Sequence, residues 1–445
     1  MTSARTLAFL ILREIDRRDS YTDVAIDRAL KTSSLSARDR SLFTELVYGV
    51  IRRQRTLDCL IETLGDRPIE KQSPDLRRIL QLGLYQLRYL DHIPASAAVN
   101  TSVALAKSQG LKGLSKVVNG LLRRYDRGQT DGIDYLPTPA NPNQRLGQLH
   151  SFPDWIVALF QQQWGEAETE ALCQYFNHPP SLDLRVNPLK ASREQVIQAL
   201  ATAKLTASAI AGLPQGIRLQ EKAGGVAQLP GFQTGWWTVQ DASAQWVSQV
   251  LDPQAGEVIF DVCAAPGGKT THIAELMGDQ GQIYAGDRTA SRLQKVATAQ
   301  QRLGLTAIKT WQGDLTQASP PPVSQVDRAL LDVPCSGLGT LHRNPDLRWR
   351  QTLAGIEKTL IPLQRQLLTA IAPLVKPGGY LVYSTCTLNP AENQEQIQHF
   401  LTTHPDWRSE PFRGLDSQTI PSGMLTILPH HHHQDGFFMA KLKKA

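Results

Sequence analysis

The sequence predicts a multidomain α and α/β protein with an all-α amino-terminal bundle, a small mixed connector and a carboxyl-terminal doubly wound parallel sheet. Two observations carry this expectation. Up to about residue 128, apolar residues recur at three- and four-residue spacing, the period of one buried helix face. From Val258 onward, short apolar strands alternate with helices, as in a sheet covered on both faces. A chain of 445 residues, 41% hydrophobic, has the material for several cores rather than one.

In the first region Leu76, Ile79, Leu80, Leu84 and Leu87 mark one helix face. Val99, Val103 and Ala106, then Leu114, Val117, Val118, Leu121 and Leu122, continue the period beyond a turn signal at Asp91–Pro94. Arginines gather at Arg52, Arg53 and Arg55, at Arg77 and Arg78, and at Arg123 and Arg124. Either several of them contact RNA phosphates or they form solvated helix faces. Gly, Pro, Thr, Asp and Asn dominate Gly128–Pro142, so residues 129–144 are assigned as a linker between the bundle, 1–128, and the connector, 145–235. Within the connector a helical stretch runs to about residue 178, and Ser181–Asn187 alternates like a strand. Gly231–Asp241 reads as a strand leading into the last domain, 236–445. His430–His433 is the sole low-complexity tract and is expected to be an exposed loop.

The net charge of +6 has the sign expected of a protein that works against phosphate. The five cysteines are odd in number and widely spaced with no CxxC pair, which argues against a disulfide framework and against a metal site. The run Leu7–Leu12 is too short and too closely followed by charge for a signal peptide, and no run suits a membrane span. A soluble, cytoplasmic protein is expected.

The first chemistry lies at Val258–Leu276. An apolar strand enters the small-residue loop Ala264–Gly268, whose backbone can approach a ligand closely, and a helix amino terminus follows. Asp287 ends the next strand, where an acid can accept from ribose hydroxyls, and Asp314 follows the third. Asp261, Asp287 and Asp314 on successive strand ends suit a nucleoside bearing a cation and poorly suit a pyrophosphate. Gly268-Lys269-Thr270 ends like a phosphate-binding loop, yet Cys263 stands where that motif's first Gly belongs and Pro266 interrupts it. A dehydrogenase would share the topology but lacks Gly-x-Gly-x-x-Gly. The fourth strand, Ala329–Asp332, empties into Val333-Pro334-Cys335-Ser336-Gly337, and the fifth, Gly379–Thr385, into Cys386-Thr387. Two thiols and a carboxylate therefore converge beside the ligand crevice. One such cysteine is usually a small buried hydrophobe. Two at neighbouring strand ends point to chemistry, in which a thiolate adds to carbon 6 of cytosine and makes carbon 5 nucleophilic. Asp332 is placed to hydrogen-bond the ring, and helix ends, Lys269 or arginines are expected to favour ionisation of the nucleophile.

Asp-Val-Cys-Ala-Ala-Pro-Gly-Gly-Lys-Thr, Asp-Val-Pro-Cys-Ser-Gly and Ser-Thr-Cys-Thr, in that order, closely resemble motifs of the RNA cytosine-5 methyltransferases. The resemblance implies a Rossmann-like domain with S-adenosylmethionine as methyl donor, Cys386 as nucleophile and Cys335 as the residue that helps the adduct resolve. It further implies cofactor contacts from Cys263, Ala264, Ala265, Pro266, Gly267, Gly268 and Lys269, and from Asp287, Asp314 and Asp332. Leu184–Asn187 and Trp237–Ser243 resemble that family's RNA-side extension, and residues 1–128 resemble a NusB-like RNA-binding bundle. The combination is similar to bacterial enzymes of the RsmB (Sun or Fmu) type, which implies 16S rRNA, free or in an early small-subunit assembly intermediate, as partner. No membrane and no obligate protein partner are implied. Thr387 stands where Ser is commoner; both carry a hydroxyl. Two rivals remain: an RNA-binding or antitermination-type factor with a decayed enzyme domain, and the same enzyme acting on transfer RNA. Leu341–Arg350, with its cations and aromatic, is expected to clamp RNA by charge and stacking, rather than to be a plain exposed loop and helix start.

Overall fold

Short polar side chains start the helices of the amino-terminal half. Ser3, Ser36, Ser73 and Asn141 accept the free backbone N–H groups of α1 (Ala4–Arg18), α3 (Ala37–Arg52), α5 (Pro74–Tyr89) and α8 (Pro142–His150). Such caps contribute about 1 kcal/mol each. Between them lie α2 (Thr22–Thr32), α4 (Gln54–Leu64), α6 (Ala95–Ser108) and α7 (Ser115–Thr130), and α9 (Asp154–Tyr175) follows, broken at Gly165, where φ is +78°. The computed structural model describes residues 3–65, 67–220, 224–317, 320–415 and 418–445. One unit comprises Met1–His178 with Leu341–Arg350, and a second comprises Pro179–Thr340 with Gln351–Ala445.

In the first unit α5 is the most deeply buried helix: Leu76, Ile79, Leu80, Leu82 and Leu84 are all enclosed. Each such side chain contributes roughly 1.5–3 kcal/mol on burial. Gly83 lets α7 come close, since a Cβ there would stand 2.6 Å from Leu122 Cδ1. The segment expected to be a linker is packed down: Tyr135 and Leu136 lie on the bundle core, the Tyr135 ring 6.3 Å from that of Tyr125.

The arginine clusters serve mostly as internal fasteners. Arg52 is buried and donates to His342 O, Arg55 to Asp154 and Phe152 O, and Arg77 to Asp58. Arg78 is buried against Asp16, Gln54 and Gln81. Arg123 and Arg124 remain exposed, with Arg124 donating to Leu64 O. The expectation of an RNA clamp at Leu341–Arg350 is corrected in the same way. Arg348 is fully buried, donates to the carbonyls of Arg52, Ser151 and Phe176 and to Asn177 Oδ1, and lies 3.8 Å from the Phe152 ring centroid. Burial, then Arg52 and Arg53, hold its pKa well below the usual value. Trp349 donates to Ile51 O and Arg350 to Ser20 O. A guanidinium buried this completely among carbonyls of the unit is out of reach of a phosphate.

The second unit begins with an antiparallel sheet ordered β2 (Ala207–Ala209), β3 (Gly216–Leu219), β1 (Leu182–Val186), β4 (Trp237–Val239), with α10 (Arg193–Thr202) after β1. Leu184, Val186, Val196, Leu200, Ile217 and Trp237 form its core. Asp241 then caps α11 (Ala242–Leu251). The large sheet contains β5 (Val258–Asp261), β6 (Gln282–Asp287), β7 (Ile308–Gln312), β8 (Val326–Asp332) and β9 (Val375–Thr385), all parallel. Further on are β10 (Trp407–Ser409), the small pair β11 (Phe412–Arg413) and β12 (Thr419–Ile420), β13 (Met424–Ile427) and β14 (Phe437–Lys444). The strand order is β10-β14-β9-β8-β5-β6-β7, with β13 on β14 and β14 antiparallel to β9. Helices α12 (Gly268–Leu276) and α13 (Ala290–Leu303) connect β5 to β6 and β6 to β7. The order turns at β5 and β8, so the crevice for a ligand opens beyond Asp261 and Asp332. The histidine tract forms a single helical turn, Pro429–His432, and its last three residues are exposed. Among the described residues no helix is long and apolar enough to cross a membrane.

Candidate active site

The parallel register sets the site. Asp261 pairs with Leu330 and Asp332 with Ser384, so the turns after β5, β8 and β9 leave the sheet at one edge. The first of these turns is built from backbone. Ala264 N donates to Gly286 O and Gly267 N to Ala264 O, and Gly267 has φ +102°. A Cβ at Gly267 would lie 3.1 Å from Val296 Cα, so only glycine fits against α13. Arg292 donates to Ala265 O and pairs with Asp287 at 3.0 Å.

A buried ion pair fixes the helix that follows. Arg185 on β1 and Glu275 on α12 are both fully buried and meet twice at 2.8 Å. Arg185 also donates to Gln240, Thr271 and Gly268 O, so the connector sheet holds the start of α12. Next in the chain, Lys269 pairs with Asp332 at 2.6 Å, and Ser384 donates to the other Asp332 oxygen. Burial alone would lower the Lys269 pKa, but Asp332 outweighs it and the value is raised. Lys269 thus balances Asp332 and lies within electrostatic reach of Cys386.

Cys335 and Cys386 meet with their Sγ atoms 3.3 Å apart. The hydrogen bond with Cys386, then burial, raises the Cys335 pKa well above the ordinary thiol value. Cys263 lies off this pair, and burial pushes its thiol up as well. Asp261 accepts from Thr270 at 2.6 Å through one oxygen, while among the described residues its other oxygen has no partner. Burial raises its pKa to about 7. Asp314 stands one strand beyond Asp287. Burial would raise its pKa, but hydrogen bonds from Thr316 and the charge of Arg288 leave it lowered. The structure therefore brings Asp261, Lys269, Asp332, Cys335 and Cys386 together and sets Asp287 and Asp314 along the same edge. An unpartnered buried acceptor, a glycine cradle and a row of acids fit a nucleoside cofactor with a cationic end.

Sequence reasoning missed Glu392 and the polar turn around it, Asn389–Asn393. Glu392 is fully buried and accepts from Ser336, Gln364 and Asn389. The available signal was Asn389-Pro390 closely following the second thiol.

Comparison with known proteins agrees with this geometry. Residues 248–443 match the family described as 16S rRNA methyltransferase RsmB/F, residues 2–127 the NusB family, and residues 152–225 a ferredoxin-like domain of RsmF/B-like methyltransferases. The chain is 72% identical to the probable ribosomal RNA small subunit methyltransferase B of Synechocystis sp., over the whole of both chains. It is 35% identical to the protein of the same name in Bacillus subtilis, over 100% of this chain and 99% of that one. The crystal structure of PH0851 superposes with a TM-score of 0.81 at 29% identity, covering 98% of this chain and 97% of the other. NSun6 from Pyrococcus horikoshii, solved with the S-adenosylmethionine analogue SFG, gives 0.59 at 25% identity, over 66% of this chain and 99% of that one. S-adenosylmethionine is the methyl donor.

Proposed function

Because the chain belongs to the RsmB/F family of 16S rRNA methyltransferases, we propose that it methylates carbon 5 of one cytosine in 16S rRNA, in the cytoplasm, through a covalent adduct with Cys386. The observation that carries this reading is the 3.3 Å contact of Cys335 with Cys386, on the sheet edge that also bears the Lys269–Asp332 pair. Methylation of a ring nitrogen or a ribose oxygen needs no such pair of thiols. Residues Cys263 to Lys269, with Asp261, Asp287, Asp314 and Asp332, hold the cofactor.

Carbon 5 of cytosine is a poor nucleophile until a thiolate adds to the ring. Cys386 gives its proton to solvent and its sulfur bonds to carbon 6, which places the electron pair on carbon 5. Asp332 hydrogen-bonds the ring near nitrogen 3 and stabilises the adduct. S-adenosylmethionine supplies an electrophilic methyl group, to which carbon 5 bonds as the methyl–sulfur bond breaks. A base, water included, then takes the proton from carbon 5, the electron pair returns to the ring and Cys386 leaves as the thiolate, with Cys335 as the partner that helps the adduct resolve. The base must come from an unpaired loop or leave its stack to reach the crevice.

Incubating the protein with labelled S-adenosylmethionine and unmodified small-subunit RNA, then mapping the product, tests the reading. A single 5-methylcytosine is expected. Incorporation into transfer RNA alone would overturn the substrate, and a methyl group on any other atom would overturn the reaction.

A further inference from the structure

Glu392 lies outside all three motifs, yet its carboxylate touches both thiol loops. Oε1 accepts from Ser336 N at 2.8 Å and from Gln364 Nε2 at 3.0 Å. Oε2 accepts from Ser336 Oγ at 2.5 Å and from Asn389 Nδ2 at 3.0 Å. Ser336 follows Cys335 directly, Asn389 is on the loop leaving Cys386, and Gln364 also donates to Pro334 O. Glu392 itself is anchored from below, because Tyr383 on β9 donates to its carbonyl at 2.7 Å.

Every contact of the carboxylate is with a donor, and this fixes the direction of a hydroxyl chain. Ser336 Oγ gives its hydrogen to Glu392, so the 2.7 Å contact with Thr387 Oγ1 requires Thr387 to donate to Ser336. Thr387 in turn accepts from Asn389 N at 3.3 Å. Cys335 precedes the first hydroxyl and Cys386 the second, so one side chain orders both turns. Among the described residues no cation pairs with the Glu392 carboxylate, and a buried carboxylate so placed costs stability. Its retention in the midst of two thiol loops calls for a role in what the thiols do.

We propose that Glu392 is the positioning residue of the thiol pair: it holds Cys335 against Cys386 and orients the Ser336–Thr387 hydroxyls, so that adduct formation and adduct resolution occur in one geometry. This rests on the reading of Cys386 as nucleophile and Cys335 as elimination partner. Glu392 touches neither base nor cofactor in this scheme. The hydrogen bond with Cys386 and burial raise the Cys335 pKa, and the nearby Glu392 carboxylate acts in the same direction.

The test uses the full-length protein with unmodified small-subunit RNA and S-adenosylmethionine, following formation and decay of the denaturation-stable protein–RNA adduct separately. Glu392→Gln keeps the shape and replaces one acceptor by a donor. The expected result is kcat lowered at least about thirtyfold, with KM for RNA and affinity for S-adenosylhomocysteine each within about threefold of the parent, and a longer-lived adduct. Ser336→Ala, which keeps the backbone N–H donor, is expected to lower kcat about three- to tenfold with the same bias towards slow decay. A Glu392→Gln enzyme with kcat and adduct lifetime like the parent overturns the proposal. So does a loss of cofactor affinity in step with kcat at unchanged adduct lifetime, which would mark a merely structural residue. Should Glu392→Gln fail to fold, Ser336→Ala decides: a parental adduct lifetime there overturns the proposal. A parent that methylates but forms no adduct through Cys386 refutes the underlying reading instead, and that result is visible before any variant is made.

Discussion

The cofactor turn and the thiol turns leave the same sheet edge, each fastened by a fully buried glutamate, but the two fastenings differ in kind. Glu275, below the cofactor turn, meets the guanidinium of Arg185 and is neutralised. Glu392, between the thiol turns, meets donors from serine, glutamine and asparagine and, among the described residues, no cation. On the cofactor side the cation is consumed inside the scaffold, and Asp261 is left with an acceptor to offer a ligand. On the thiol side both oxygens of the glutamate are occupied by donors.

The widest separation of the two sides comes from the cysteines. Cys386→Ala should lose methyl transfer and adduct together, by roughly a thousandfold or more, as expected for removal of a nucleophile. Cys335→Ala should still form the adduct and accumulate it, which gel electrophoresis under denaturing conditions reads directly. Adduct surviving in Cys386→Ala and vanishing in Cys335→Ala would exchange the two roles. On the other side, Arg185→Met leaves Glu275 buried and unpaired and should cost about 3–5 kcal/mol of stability in urea unfolding. The double variant Arg185→Met/Glu275→Leu should recover most of that, and failure to do so would mean that the contacts to Gln240, Thr271 and Gly268 matter more than the charge.

A smaller effect distinguishes Asp261. Its pKa is raised to about 7 by burial, so the free protein holds the proton below that pH. With the free oxygen of Asp261 serving the cationic end of the cofactor, binding needs the ionised form and releases a proton. Affinity for S-adenosylmethionine should therefore rise with pH through 7, by about tenfold between pH 6 and 8. Calorimetry in buffers of different ionisation heat checks the proton release. An affinity independent of pH in the parent, or the same slope in Asp261→Asn, would remove Asp261 from the site.

Much of the sheet domain could be read from the sequence because its chemistry is local. Asp261, Asp287, Asp332, Cys335 and Cys386 each directly end or follow an apolar strand, and a doubly wound sheet sends all such positions to one edge. What escaped is defined by long contacts. Glu392 acquires its meaning from Ser336, 56 residues away. Arg348 reads as a surface cation until its partner Arg52 O, 296 residues earlier, is in place. Gly128–Pro142 has the composition of a linker, but Tyr135 meets Tyr125 and closes it onto the bundle. A hydrophobic period reports which face is buried and is silent about which polar side chains join it.

The first unit includes Leu341–Arg350, a passage that lies far down the chain from the rest of it. On the ribosome, therefore, the helical part cannot be finished when its own helices have emerged. The place of Arg348 beside Phe152, Ser151 and Asn177 stays vacant until four of the eight strands of the large sheet have been synthesised. The last piece of the helical unit is thus delivered by the stretch of chain that follows Cys335. A nascent chain stalled before residue 341 should be cut by protease within the first unit far faster than one released beyond residue 350.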